Sequence, residues 1–230
     1  VNLSKVVAID GPSGSGKSTI AKMLAQELNL LFIDTGAMYR ALALYLSAQT
    51  VNPDEPQKIQ KLLKGLRFNY CPSPGVLVEL ETENYTKKIR SPEASLLASQ
   101  YSKSQVVRDY LVAFQRSLVA QKTCVMEGRD IGTVVFPDAF CKIYFTASES
   151  VRALRRFNEL KEKGDFSQSY EEVLRDVIER DHNDMNRPIA PLKKAEDAIL
   201  VDVGNMVLEE VLARATEIVE QKAKVAGIKL

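Results

Sequence analysis

The chain has 230 residues, of which 45% are hydrophobic and 27% charged, enough for one sizeable buried core with a small insertion but too short for two comfortable domains. Lys and Arg number 31 against 30 Asp and Glu, a net charge of +1, so the balance carries no electrostatic footprint for nucleic acid or an anionic membrane. No apolar run approaches the roughly 20 residues that span a bilayer, and three cysteines without CxxC spacing beside a single histidine, His182, exclude a disulfide framework, a zinc knuckle and a multi-histidine metal site.

In chain order, Val6-Val7-Ala8-Ile9-Asp10 is a short β-branched run ending at a glycine, the pattern of a strand buried on both faces of a parallel sheet. Ile20, Met23, Leu24, Ala25 and Leu28 recur at helical spacing over 17–28, and Leu31-Phe32-Ile33-Asp34 follows as a second strand, giving a βαβ unit. Further strands are expected at 123–126, 142–145 and 198–201, separated by helical patterns. The fold class is therefore α/β with a doubly wound, mainly parallel sheet of about five strands and helices on both faces. The segment 66–90 breaks this rhythm: Arg67-Phe68-Asn69-Tyr70, then Pro72-Ser73-Pro74-Gly75, then Val76-Leu77-Val78-Glu79-Leu80 read as a hairpin with no helix between its strands, a small antiparallel insertion. The charged stretch 148–170 places Arg152, Arg155 and Arg156 near one helical face before a turn at Lys161-Glu162-Lys163-Gly164-Asp165, and is expected to form a helical lid.

The chemistry starts at Gly11-Pro12-Ser13-Gly14-Ser15-Gly16-Lys17-Ser18, a G-x-x-x-x-G-K-[ST] sequence set between an apolar strand and a helix. In such a loop glycines let backbone N–H groups wrap phosphates, and the helix N-terminus adds partial positive charge. Lys17 reaches the β- and γ-phosphates, and the Ser18 hydroxyl ligates Mg²⁺. Gly11 to Ser18, with Thr19 beside them, are the expected nucleoside triphosphate-binding residues. The N-K-x-D base reader and D-x-x-G switch of a GTPase are not found between Thr123 and Leu230.

Two further blocks, Asp34-Thr35-Gly36-Ala37-Met38-Tyr39-Arg40 and Glu127-Gly128-Arg129-Asp130-Ile131-Gly132-Thr133, stand at the carboxyl ends of strands, the edge where open α/β sheets bind ligands. A third, Arg180-Asp181-His182-Asn183-Asp184-Met185-Asn186-Arg187, puts Arg180, Asp184 and Arg187 on one face of a helix that Pro188 terminates. That face either grips a ligand or is a solvated salt-bridge ladder.

Taken together these blocks resemble the bacterial cytidylate (CMP) kinases over nearly the whole chain. The similarity includes Gly128-Arg129-Asp130-Ile131-Gly132-Thr133-Val134-Val135-Phe136-Pro137 and Ala190-Pro191-Leu192, and the hairpin resembles that family's enlarged nucleoside-monophosphate-binding insertion. The resemblance implies one P-loop kinase domain over 1–230, with the insertion at roughly 62–100 and the lid at roughly 150–170. It implies transfer of the γ-phosphoryl group of ATP to CMP or dCMP with Mg²⁺ in pyrimidine nucleotide metabolism. Arg40, Arg129 and Arg187 would hold the acceptor phosphate, a dianion suited to forked guanidinium donors. Arg180 and Asp184 would hold the sugar hydroxyls, and Ser99, Arg108 and Asp130 would read the base, Asp130 accepting from the cytosine 4-amino group. Lys17, Arg129 and Arg187 would supply catalysis. Arg152, Arg155 and Arg156 resemble the family's lid arginines, although a solvated helix face fits them too. Glu127 departs from the family, which often has Asp there. The expected partners are small molecules only, with no nucleic acid and no membrane, for a monomer in the cytoplasm; no secretory leader pattern opens the sequence. A UMP kinase or other small-molecule kinase, and a regulatory module that binds ATP without phosphorylating anything, are the alternatives.

Overall fold

The computed structural model describes residues 4–72, 77–119, 122–162 and 164–230. Five strands, β1 (Ser4–Asp10), β2 (Leu31–Asp34), β6 (Cys124–Gly128), β7 (Ala139–Thr146) and β8 (Ile199–Asp202), form a wholly parallel sheet in the order β2-β6-β1-β7-β8. The strand that opens the chain thus lies in the middle of the sheet. Each expected strand is present within a few residues of its expected place.

Alternation along the central strands explains why helices must cover both faces. Val6 and Ala8 of β1, with Ile33, Cys124 and Met126, face one core, which is closed by α2 (Thr35–Ala48), α4 (Pro92–Tyr101) and α5 (Gln105–Ser117). Val7 and Ile9, with Val125, Ile143 and Phe145, face the other, which is closed by α1 (Lys17–Glu27) and α8 (Leu208–Ala226). These side chains are almost wholly removed from water, and each fully buried aliphatic contributes roughly 1.5–3 kcal/mol of transfer free energy.

The insertion is a three-stranded antiparallel sheet, β3 (Phe68–Cys71), β4 (Leu77–Leu80) and β5 (Glu83–Asn84), and not a two-stranded hairpin. Two exposed residues pairing Glu79 with Asn84 and Leu80 with Glu83 make up its third strand, too short and too polar for periodicity to mark. The expected turn at 73–76 lies outside the described residues, as does Lys163 of the turn near the lid. Phe68, Tyr70, Val78 and Leu80 point back into the core under α2, which also receives Ile59 and Leu63 of the short helix α3 (Pro56–Leu63).

The charged stretch becomes α6 (Glu149–Glu162), antiparallel to α7 (Tyr170–Asn186), with Ala153, Leu160, Val173 and Val177 forming a small core between them. A complete capping box at Ser169 and Glu172 starts α7. The solvated-face reading of Arg152 is corrected here. Its guanidinium is 3% exposed, pairs with Asp181 at 2.5 Å, and donates to the carbonyls of Ala147 and Ser13. Arg155 donates to the Val203 carbonyl, and only Arg156, bonded to Glu159, lies on the wet side. Among the described residues no helix is long and apolar enough to cross a membrane.

Candidate functional site

Three strands that neighbour one another in the sheet end level with one another at the carboxyl edge. Asp10 of β1 sits opposite Gly128, and Asp34 of β2 opposite Glu127. The loop from Gly11 to Gly16 leaves β1 at this edge, and Gly11 shows why the turn needs glycine: φ is +149°, and a Cβ would fall 2.2 Å from the Phe145 carbonyl oxygen. Gly16, left-handed at φ +81°, caps α1 so that the first N–H groups of the helix face the space above the loop.

Lys17 lies buried within this loop, where its Nζ donates to the Pro12 carbonyl at 2.8 Å beside the Ser15 hydroxyl at 3.0 Å. Burial, followed by the Arg129 guanidinium, pulls the Lys17 ammonium down to about 7. Next to it the Ser18 hydroxyl donates to Glu127 Oε1 at 2.5 Å, and burial followed by the Asp34 carboxylate pushes the Glu127 carboxyl up. Thr19 is exposed on the first turn of α1.

Facing the loop is a network of arginines and carboxylates drawn from distant parts of the chain. Asp34 caps α2 by accepting from the Ala37 N–H at 2.8 Å, and it pairs with Arg40 at 3.2 Å. Arg129 Nε donates to Asp184 Oδ2 at 3.1 Å, while Asp130 pairs with both Arg108 and Arg187. Arg108 also lies 5.8 Å from the centre of the Tyr39 ring, within cation–π range. Arg180 Nε, like Arg40 Nε and Arg108 Nη1, is buried and without a hydrogen-bond partner among the described residues. Burial, then the nearby Arg129 charge, pulls the Arg180 guanidinium down to about 10. Its charge is felt at Lys17 as well, so buried Lys17 and half-buried Arg129 and Arg180 form one group of mutually repelling cations. Such a group is relieved by an anion.

The structure brings together Lys17, Ser18, Arg40, Arg108, Arg129, Asp130, Arg180, Asp184 and Arg187, but it corrects two expectations. Arg187 is not on the helical face of Arg180 and Asp184, because α7 stops at Asn186 and Arg187 is extended at φ −63°, ψ 140°, as a residue before proline must be. There Arg187 Nε donates to the Ala190 carbonyl. Nor is the face a solvated ladder, since Asp184 is buried and turned to Arg129. Ser99, half-buried on α4, is not drawn into the network; the hydrogen bond at this residue is to its carbonyl, from the Ser102 hydroxyl.

A family model described as cytidylate kinase matches residues 7–221 of this sequence. The chain belongs to the cytidylate kinase family. A cytidylate kinase of Thermosipho melanesiensis is 47% identical over 218 residues, covering 95% of this chain and 98% of the relative. One from Caldicellulosiruptor saccharolyticus is 47% identical over 213 residues, covering 92% and 94%, and one from Thermotoga maritima is 45% identical over 217 residues, covering 94% and 97%. In fold alone, the chain is similar to an uncharacterized protein from Eubacterium ventriosum, with a TM-score of 0.50, 11% identity and coverage of 94% and 98%.

In this cytidylate kinase chain three carboxylates crowd the strand ends, and their partners tell them apart. Asp34 is occupied by Ala37 and Arg40, and Asp10 by the backbone N–H groups of Ile131 and Gly132 at 2.9 and 2.8 Å. Among the described residues the Glu127 carboxylate accepts a hydrogen bond from the Ser18 hydroxyl alone, so Glu127 and Ser18 could offer hard oxygen donors to a divalent cation. Two residues of this neighbourhood escaped sequence reasoning: Asp10, which reads simply as the end of a strand, and Tyr70, whose hydroxyl accepts from the Asp34 N–H at 2.8 Å. A carboxylate closing a fully apolar strand is a usable signal for the first. The second carries none, because Tyr70 looks like any aromatic of a half-buried strand.

Proposed function

We propose that this protein transfers the γ-phosphoryl group of ATP to CMP and dCMP, giving ADP with CDP or dCDP. The observation that carries the reading is the group of mutually repelling cations formed by Lys17 of the phosphate loop and half-buried Arg129 and Arg180, with Arg180 Nε lacking a partner among the described residues. The cytidylate kinase names of the relatives supply the acceptor class. In this reading the N–H groups from Gly11 to Thr19 receive the ATP phosphates, and Lys17 exchanges the Pro12 carbonyl for the β- and γ-phosphate oxygens.

Arg40, Arg129 and Arg187 grip the acceptor phosphate, Arg180 and Asp184 the sugar, and Ser99, Arg108 and Asp130 the base. Asp130 accepts from the cytosine 4-amino group, where uracil turns an oxygen toward the carboxylate. Two arginines already hold Asp130 in place, so it need not reorganise when the base arrives. Ser18 and Glu127 would hold Mg²⁺, which would supply neutralisation of phosphate charge. No dedicated base is required, because phosphoryl transfer is served by alignment, charge neutralisation and exclusion of water.

The reading treats 1–230 as one kinase domain in which residues of roughly 62–100 and 150–170 close on the nucleotides, acting as a monomer in the cytoplasm. The test is to incubate the protein with ATP, Mg²⁺ and each of CMP, dCMP, UMP, AMP and GMP while following ADP and the diphosphate product. Rapid CDP and dCDP formation with weak UMP turnover is expected. ATP binding without any diphosphate product overturns the reading.

A further inference from the structure

The turn that carries Arg129 and Asp130 is held by a residue outside it. After Asp130 the chain makes a short π-helical turn, Ile131–Val135, for which Asp130 stands at the capping position with φ −147° and ψ 25°. The first N–H groups of any helical turn have no acceptor within it, and an aspartate at the cap normally accepts one of them. Asp130 makes no such bond, because its carboxylate is turned to Arg108 and Arg187. The acceptor comes instead from β1: Asp10, 5% exposed, takes the Ile131 N–H on Oδ1 and the Gly132 N–H on Oδ2.

We propose that Asp10 is a positioning residue for the acceptor nucleotide, capping the turn in place of Asp130 and so leaving the Asp130 carboxylate to pair with Arg108 and Arg187 in the acceptor cluster. The proposal rests on the reading above that Arg129 and Asp130 hold the acceptor. The turn is seated tightly on this support. A Cβ at Gly132 would lie 3.1 Å from Lys142 Cδ and 3.4 Å from Asp10 Oδ2, and one at Gly128 would lie 2.8 Å from Ile131 Cδ1. Both carboxylate oxygens are needed, since two adjacent N–H groups demand two acceptors and an amide offers one. Although Asp10 precedes Gly11 directly, its side-chain hydrogen bonds among the described residues run to the acceptor side, and it meets the phosphate loop through the charge of Lys17.

The experiment compares wild type with Asp10→Asn, varying CMP at saturating ATP and ATP at saturating CMP, and repeats the first series with UMP. The amide keeps the volume but presents N–H to one of the two N–H groups. The KM for CMP is expected to rise about ten- to hundredfold, the scale of a lost hydrogen bond to a charged group. The preference for CMP over UMP is expected to fall, while the KM for ATP, which Asp10 meets through the charge of Lys17, changes by a smaller factor than the KM for CMP. Parallel rises in both KM values with unchanged preference would mean a scaffold role and overturn the proposal, as would no change at all. A wild type that fails to phosphorylate CMP overturns the functional reading instead. If Asp10→Asn does not fold, Asp10→Glu decides alone: it keeps the charge beside Lys17 but moves both oxygens by one methylene from the Ile131 and Gly132 N–H groups, and an unchanged KM for CMP refutes the proposal.

Discussion

The phosphate loop keeps its ligand-facing groups within residues 11–18, whereas the cluster opposite it is gathered from α2, α5, the end of β6 and α7. In the proposed reading the loop works mainly through backbone N–H groups, and its shape depends on a few local conformations such as that of Gly11. In that reading the cluster works through side chains, several of them held by partners from other elements, Arg129 by Asp184 and Asp130 by Arg108, while Tyr70 holds the Asp34 backbone. A local site is therefore damaged by changing what it contains. A gathered site is also damaged by loosening what connects its parts.

Lys17→Ala tests the local half and has the largest expected effect, a fall in kcat of about a thousandfold, because a buried charge on the transferring phosphoryl is lost. Coupled measurement of ADP release checks it. With its ammonium at about 7 in the free protein, Lys17 is mainly neutral at pH 8, and bound triphosphate favours the charged form. ATP binding at pH 8 is therefore expected to take up protons, seen by calorimetry in buffers of different ionisation enthalpy, and Lys17→Ala is expected to abolish that uptake.

On the gathered side, Asp130→Asn preserves shape and removes the charge proposed to read the base. The ratio of kcat/KM for CMP to that for UMP should fall on the order of 100-fold, as expected when a buried polar match is lost. A ratio unchanged from wild type would shift base selection onto other residues.

Tyr70→Phe probes a connection alone, since Tyr70 belongs to the insertion and touches the site only through the Asp34 N–H. Leaving that buried donor unsatisfied should cost about 1–2 kcal/mol in thermal unfolding and raise the KM for CMP about threefold, with the KM for ATP unmoved. Equal changes in both KM values would erase the distinction between the two halves. The smallest effect is expected from Arg214→Ala, which breaks an exposed pair with Glu217 on α8, far from both halves in its contacts: within ~0.5 kcal/mol in stability and no change in turnover.

The contrast also accounts for how legible each region was. The loop, the parallel strands and the order of β and α elements could be read directly, because a G-x-x-x-x-G-K-[ST] run and alternating apolar segments are local patterns. The arginine and carboxylate blocks could be read as blocks, but not as pairs. Arg180, Asp184 and Arg187 suggest one helical face, yet Pro188 ejects Arg187 from the helix and Asp184 pairs with Arg129 from beyond β6. Arg152 looks like a surface lid residue and is instead a buried tie from α6 to Asp181 and the phosphate loop. The third strand of the insertion was illegible because two polar residues carry no period.

By itself, the sequence determined that this chain has a phosphate-binding loop between a buried strand and a helix, an α/β sheet, and a stock of arginines at strand ends. Those follow from backbone preferences and side-chain periodicity, which act over a few residues. Only the tertiary structure decided that Asp10 caps the turn of Arg129 and Asp130, that Tyr70 supports Asp34, and that Glu127 and not Asp34 is left for Ser18. Pairing among buried charges is a contest between elements brought together by the hydrophobic cores, and its outcome depends on which partners the packing sets within hydrogen-bond reach.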